Sequence, residues 1–344
     1  MPEREGDPLA ALARRIEEYV SHKMPQAGKI AVRDLQRIPG GNSKENLSFV
    51  AGWVENGEEL RRQFLIRREL PAGVLETEAE TEYLLMKALW DTDIPVPRMY
   101  WSEKDPRWLD QPFFVEEFVG GESSLASLAE LDPRVRDEIV RDFVEILARQ
   151  HSLDWKKLGL EFLGVPADAD DCAQRQIDHW MQVLERHRLD PQPLLAALFR
   201  WLRQHKPHEV SRIALVHGDP GPGNFLFRDG RITAVVDWEL AHLGDPMDDL
   251  GWLCWRAGST GSLFDREKLV ELYAKISPIP LNLESLRYYE VFSNVRAAVA
   301  CVSGLRSFCE GTNMQLNMAV VGLGIYRASL LEGARLAGFP STPE

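Results

Sequence analysis

The sequence predicts an α+β protein of two lobes: a five-stranded antiparallel sheet with one helix, then a mostly helical second half. Three observations carry this. Between residues 31 and 120 the apolar runs are short and strand-like; from Asp132 onward they recur at helical spacing; and 344 residues exceeds the usual size of one domain. The expected boundaries are a helical extension over 1–30, a first lobe over 31–120, a second over 121–338 and a frayed tail over 339–344.

Apolar positions at helical spacing over 9–20 give the extension its helix. Strands are expected at DLQRI (34–38), NLSFVAGWV (46–54) and RQFLIRRE (62–69), joined by GGNS (40–43) and ENGEE (55–59). ETEAETEYLLMKALW (76–90) is a helix with acid near its positive end. IPVPRMYWSE (94–103) and PFFVEEFV (112–119) complete the sheet, the prolines confining the former to an edge or entry position. GGESS (120–124) forms a hinge. Helices follow over 133–152, 171–189, 192–205, 246–257, 265–276, 283–309 and 314–337, with β-like text only near 213–216, 224–227 and 232–237.

Forty Lys and Arg face 53 Asp and Glu, a formal charge of −13, so a nucleic-acid backbone is repelled and no nucleic-acid partner is expected. Cys172, Cys254, Cys301 and Cys309 form no C-x-x-C pair and read as buried thiols. The first twenty residues lack a signal-peptide core, and no run of about 18 apolar residues exists. The expectation is a soluble cytoplasmic protein with no membrane partner. Nothing in the sequence bears on oligomeric state.

The densest chemistry lies in IALVHGDPGPGNFLFRDGRITAVVDWE (213–239). Asp219 and Asn224 fall on a Gly/Pro loop, and a turn at Asp229-Gly230 folds the strand ending at Asp237 back toward Asn224. A carboxamide and a carboxylate oxygen so joined suit Mg²⁺, which keeps its other positions for water and phosphate oxygens. Asp219 is then free to accept the hydrogen bond of a substrate hydroxyl and aim that oxygen at phosphorus. Any one Asp or Asn in such a loop is more often a turn residue. His-Gly-Asp, then Asn five positions past Asp219, then Asp thirteen past Asn224, is far more specific.

This segment resembles the catalytic motif of the aminoglycoside phosphotransferase and choline kinase superfamily, which shares the protein-kinase fold. VVDWELAHLGDPMDDLGWL (235–253) is closest to the subgroup related to phosphotransferase domains fused to acyl-CoA dehydrogenases. The resemblance implies a protein-kinase-like two-lobe fold, Asp219 as the catalytic aspartate, Asn224 and Asp237 as metal ligands, and His217 as a buttress of the loop. It implies Mg²⁺ and ATP or GTP as cofactors and a small-molecule hydroxyl acceptor as partner. Of Asp245, Asp248 and Asp249, one is expected to tie down the catalytic loop while the others start a helix. Glu239 reads equally as a neighbour of the metal and as a surface residue.

The first lobe fits the same resemblance. Gly40, Gly41 and Ser43 resemble the phosphate-covering loop, although they lack the G-x-G-x-x-G form and a Gly-Gly turn alone is usually only a hairpin. Alternation places Leu65 and Arg67 on one strand face and Phe64, Ile66 and Arg68 on the other. Arg67 then stands where many kinases have lysine, and a guanidinium can bridge phosphate oxygens and a helix glutamate. Glu82, in TEYLLMKAL, is the expected partner, with Glu78 next, although a lone helix glutamate usually faces solvent. Backbone groups near Glu117 and Val119 would meet an adenine edge.

Competing motifs are absent: no P-loop, no dinucleotide fingerprint, no G-x-S-x-G and no H-E-x-x-H occurs. His205 and His208 read as solvent residues; Trp252 and Trp255 are candidates to line a pocket, although aromatic residues in a helical lobe are more often core. Three functions stay open: a Mg²⁺/ATP-dependent small-molecule kinase, a silent nucleotide-binding pseudokinase, for which Arg67 in place of lysine speaks, and a metal-dependent phosphohydrolase.

Overall fold

Alternation of side chains along paired strands is what builds the first half of the chain. The computed structural model describes residues 8–38, 44–70, 79–259, 265–311 and 316–340, which fall into two compact units, Met1–Gly120 and Gly121–Glu344.

The first unit runs α1 (Pro8–Lys23), β1 (Ala31–Ile38), β2 (Lys44–Glu55), β3 (Glu58–Glu69), α2 (Ala79–Leu89), β4 (Met99–Glu103), α3 (Pro106–Leu109) and β5 (Phe113–Glu117). The strands form one antiparallel sheet in the order β1-β2-β3-β5-β4, as expected of the α+β fold, and β4, preceded by Pro95 and Pro97, is an edge. Asn56 and Gly57 close the β2–β3 hairpin with φ of 52° and 85°, the mirror-image turn whose twist matches the flanking strands. β1 begins three residues earlier than its text suggests, because the pairing slips between Arg33 and Gln36, around Asp34 at φ 54°, and breaks the alternation there.

Leu47, Phe49, Trp53, Phe64, Ile66 and Phe113 cover one sheet face and bury it against Ile16, Tyr19 and Val20 of α1. Tyr19 meets Phe113 and Trp108 edge-on, with ring centroids 4.8 and 5.3 Å apart. The helix that the sequence sets apart as an extension thus supplies core to the sheet. The opposite face, with Asn46 directly across from Arg67 and Ser48 across from Leu65, is turned toward α2.

The second unit comprises α4 (Leu125–Ala129), α5 (Pro133–Ser152), α6 (Ala169–His187), α7 (Pro193–Gln204), β6 (Ala214–Val216), β7 (Phe225–Arg228), β8 (Arg231–Val235), β9 (His242–Gly244), α8 (Met247–Ser259), α9 (Arg266–Ile276), α10 (Leu283–Cys309) and α11 (Leu316–Leu336). Asp132, Asp265 and Asn282 cap α5, α9 and α10 by accepting from backbone N–H groups of the first turn. Helix α10 is buried along most of its length among α6, α7, α8 and α11. Asp229 and Gly230 close the β7–β8 hairpin with φ of 51° and 76°. β9 pairs antiparallel with β6 and has no counterpart in the sequence reading, since three residues carry no periodicity.

Cys172, Cys254 and Cys301 are buried, and burial raises the first two thiols to about 12 and the third to about 11. Cys309, the last residue of α10, is exposed, contrary to expectation. Among the described residues no helix is long and apolar enough to cross a membrane.

Candidate active site

The loop between β6 and β7 has no ladder of its own, so its backbone must be fixed by other means. Asp249, fully buried near the start of α8, does this: Oδ2 accepts from His217 N at 2.8 Å and Oδ1 from Gly218 N at 2.9 Å. The same carboxylate accepts from Gln150 Nε2 at 3.2 Å and His151 Nε2 at 3.0 Å. Burial alone would raise this carboxyl, but the bond and charge of His151, with His217, outweigh it and hold the group at about 2. Of the three neighbouring acids, Asp249 is the one that fastens the loop. Asp245 caps Met247 N at 2.9 Å and accepts from Ser285 Oγ, and Asp248 pairs with Arg296 at 3.2 Å.

Gly218 at φ +85° allows this fastening, since a Cβ there would sit 2.4 Å from the Leu240 carbonyl oxygen. His217 donates from Nε2 to Val236 O at 3.1 Å, its Nδ1 accepts from Asp219 N at 3.3 Å, and its ring leans on Trp238 with centroids 4.5 Å apart. The imidazole therefore ties the loop to the end of β8.

Asp219 is held at both oxygens. Oδ1 accepts from Trp252 Nε1 at 2.6 Å and Arg256 Nη2 at 2.5 Å; Oδ2 accepts from Asn224 Nδ2 at 2.8 Å. Asn224 Nδ2 also donates to the Asp219 carbonyl at 2.7 Å. Both partners are acceptors, which fixes the amide's orientation and leaves Oδ1 of Asn224 as the oxygen turned away from Asp219. The Asn224 carbonyl accepts from Val236 N at 2.9 Å, so the hairpin joins Asn224 to the residue before Asp237. Asp237 is left-handed, at φ 66° and ψ 57°. A carboxamide oxygen and a carboxylate brought in by one hairpin are hard donors of the kind Mg²⁺ takes. Glu239 is half-buried in the short turn after Asp237.

In the first unit, Arg67 Nη1 donates to Glu82 Oε1 at 2.9 Å, and Lys44 Nζ meets Glu82 Oε2 at 3.0 Å, all three side chains being buried. Arg67 also lies over the Phe114 ring, 5.8 Å from its centroid. Glu117 donates its N–H to Arg98 O at 2.8 Å, and half-buried Val119 lies just beyond β5. Gly40, Gly41, Ser43 and Glu78 lie outside the described residues.

Three side chains here went unread in the sequence. Lys44 shares the Glu82 carboxylate with Arg67, and alternation from Asn46 would have placed it on that face. Trp252 and Arg256, spaced i,i+4 on α8, bind Asp219; the sequence offers Trp252 as core or pocket lining but gives no sign of its bond to Asp219.

The chain matches the model of a phosphotransferase enzyme family over residues 34–287. It is 28% identical over 311 residues to acyl-CoA dehydrogenase family member 11 of Gallus gallus, a stretch covering 82% of this chain and 38% of that protein. The chain thus spans under two-fifths of the length of that relative. Among solved structures, a Ralstonia eutropha protein assigned to the aminoglycoside phosphotransferases is similar at TM-score 0.72 and 25% identity, covering 96% of this chain and 99% of that one. An aminoglycoside phosphotransferase mutant solved with ADP and hygromycin B shares the fold at TM-score 0.59 and 18% identity, covering 93% and 99%.

Proposed function

Because the chain belongs to the phosphotransferase enzyme family, we propose that it is a kinase for a small molecule, moving the γ-phosphoryl group of ATP or GTP to a substrate hydroxyl. The observation that carries this reading is the double donation of Asn224 Nδ2 to the Asp219 carbonyl and carboxylate, at 2.7 and 2.8 Å. One amide thereby sets the acceptor-facing carboxylate with its nitrogen and offers its oxygen to a cation.

In this reading Asp219 accepts the hydrogen bond of the incoming hydroxyl, aims its oxygen in line with the phosphorus, and takes the proton late. Asn224 and Asp237 would hold Mg²⁺, which supplies positive charge to the phosphate oxygens when bound. Arg67 and Lys44, both steadied by Glu82, provide cationic groups for the nucleotide phosphates. Gly40, Gly41 and Ser43 would cover those phosphates, and backbone groups near Glu117 and Val119 would meet the base.

The test is Asp219→Asn, assayed for ATP consumption over a panel of hydroxyl compounds: aminoglycosides, macrolides, amino alcohols, sugars, hydroxy acids and their thioesters. Turnover should fall by about 10²–10⁴-fold, the usual share of general acid–base catalysis. Binding of ATP-Mg²⁺, followed by calorimetry, should persist. Undiminished turnover would remove Asp219 from the chemistry; ATP binding with no turnover by the parent across the panel would favour the pseudokinase.

A further inference from the structure

The guanidinium of Arg256 crosses the catalytic loop, bonding Asp219 Oδ1 through Nη2 at 2.5 Å and the Pro222 carbonyl through Nη1 at 3.1 Å. We propose that Arg256 is a positioning residue for Asp219, fixing the carboxylate's rotation so that Oδ2 is the oxygen that receives the acceptor hydroxyl. This rests on the reading of Asp219 given above.

Counting acceptor sites leads there. A carboxylate oxygen offers about two lone-pair sites. At Oδ1 both are taken, by Arg256 and by Trp252 Nε1, whereas Oδ2 carries one bond, from Asn224. A hydroxyl therefore finds its place on Oδ2 without displacing a donor. The three donors come from two elements, the loop and α8, so the plane of the carboxylate is set from both sides.

The clamp is itself built. At Gly221, with φ +133°, an added Cβ would lie 2.6 Å from Arg256 Cδ, so the side chain can cross the loop only over a glycine. Trp252 is held in turn by Arg296, whose guanidinium lies 4.0 Å from its ring centroid, and by stacking on Trp255 at 4.4 Å.

Stability and positioning make different demands on this arrangement. The Asp219 and Arg256 side chains are part-buried, at 28% and 19% exposure, so the pair also helps to fold the loop, and the rate and double-mutant readouts below separate positioning from that. Misplacing a reacting group by about an ångström, in contrast, can cost about 10²-fold in rate. Lysine is a poor replacement, since an ammonium cannot present two parallel N–H groups to Asp219 and Pro222.

The experiment uses the full chain with ATP-Mg²⁺ as donor, and water and the hydroxyl panel as acceptors. Arg256→Gln should lower kcat about 10–100-fold, leave KM for ATP within about twofold and leave the chain folded at the assay temperature. Arg256→Lys should fall between, and millimolar guanidinium should restore part of the activity of Arg256→Ala. In an Asp219→Asn background, Arg256→Gln should cost nothing more, because its effect passes through Asp219. A kcat within twofold of the parent, or an equal loss in both backgrounds, would overturn the proposal. If Asp219→Asn keeps full turnover, the reading of Asp219 fails; if it loses turnover and Arg256→Gln does not, only the clamp fails. A readout free of turnover is the indole N–H resonance of Trp252, assigned with Trp252→Phe. It should shift in both Asp219→Asn and Arg256→Gln, and an unmoved resonance in the latter overturns the clamp.

Discussion

In the first unit Lys44, Arg67 and Glu82 stand on strands and a helix whose own hydrogen bonds fix the backbone, whereas in the second Asp219 and Asn224 stand on a loop without a ladder. The first arrangement needs only that charges on facing elements meet. Each desolvated cation in it is paired with the same carboxylate, which offsets part of the cost of burying them. The second fastens the start of its loop, His217 N and Gly218 N, to one buried carboxylate, Asp249, which also accepts from the Gln150 and His151 side chains, and holds the rest through Asn224, Val236 N and Arg256. Regular structure repeats one kind of backbone bond, while the loop relies on side chains from outside it, Asp249 and Arg256 among them.

That contrast can be broken from either side. The largest effect is expected for Asp249→Ala, which strands four donors in a buried site: about 3–5 kcal/mol lost in urea unfolding, as for removal of one partner of a buried pair. Amides of residues 217 and 218 should lose their exchange protection while those of β2 and β3 keep it. Next comes Glu82→Gln, which retains shape and removes charge. A loss of about 1.5–3 kcal/mol is expected from weakening charged hydrogen bonds, with protection at 217 and 218 unchanged and ATP affinity reduced. If Glu82→Gln released the 217–218 amides instead, the two supports would not be separate.

The smallest effect concerns pH. Burial raises the Asp245 carboxyl to about 6 from an ordinary 3.8, against the bonds from Ser285 and Met247 N. The folded state holds that proton more tightly than the unfolded chain does. Its stabilising contribution is complete below about 3.8 and declines as pH rises through about 6. Asp249, held at about 2, acts oppositely: its contribution is present above about 3.8 and is lost as pH falls toward 2. Asp245→Asn should flatten the decline in urea midpoint between pH 4 and 6 and leave the acid limb intact. A parent-like slope in that window would sink the assignment.

How much was legible follows the same division. The sheet, Arg67 and Glu82 could be read because strands repeat every two residues and the helix face is continuous. Asp219, Asn224 and Asp237 could be singled out because their spacing is a motif, although that spacing does not say which residues outside the loop hold it. Which of Asp245, Asp248 and Asp249 does that work depends on how the start of α8 meets the end of β6, a contact between residues over 30 positions apart. Arg256 was illegible for a like reason: on α8 it reads as an ordinary surface cation, and only the absence of a side chain at Gly221 lets it reach the carboxylate. Lys44 was hidden because it directly follows a turn-like stretch, where a lysine is ordinarily solvated.

Helix α1 carries a practical consequence. Its Ile16, Tyr19 and Val20 are fully buried, yet the chain between Lys23 and β1 is a short connection that a protease could cut without breaking any strand. A nicked molecule should retain the severed helix as a tightly held peptide, released only by denaturant. Deleting it beforehand would lay bare an aromatic slab and yield insoluble material, so shortened expression variants should begin ahead of Pro8.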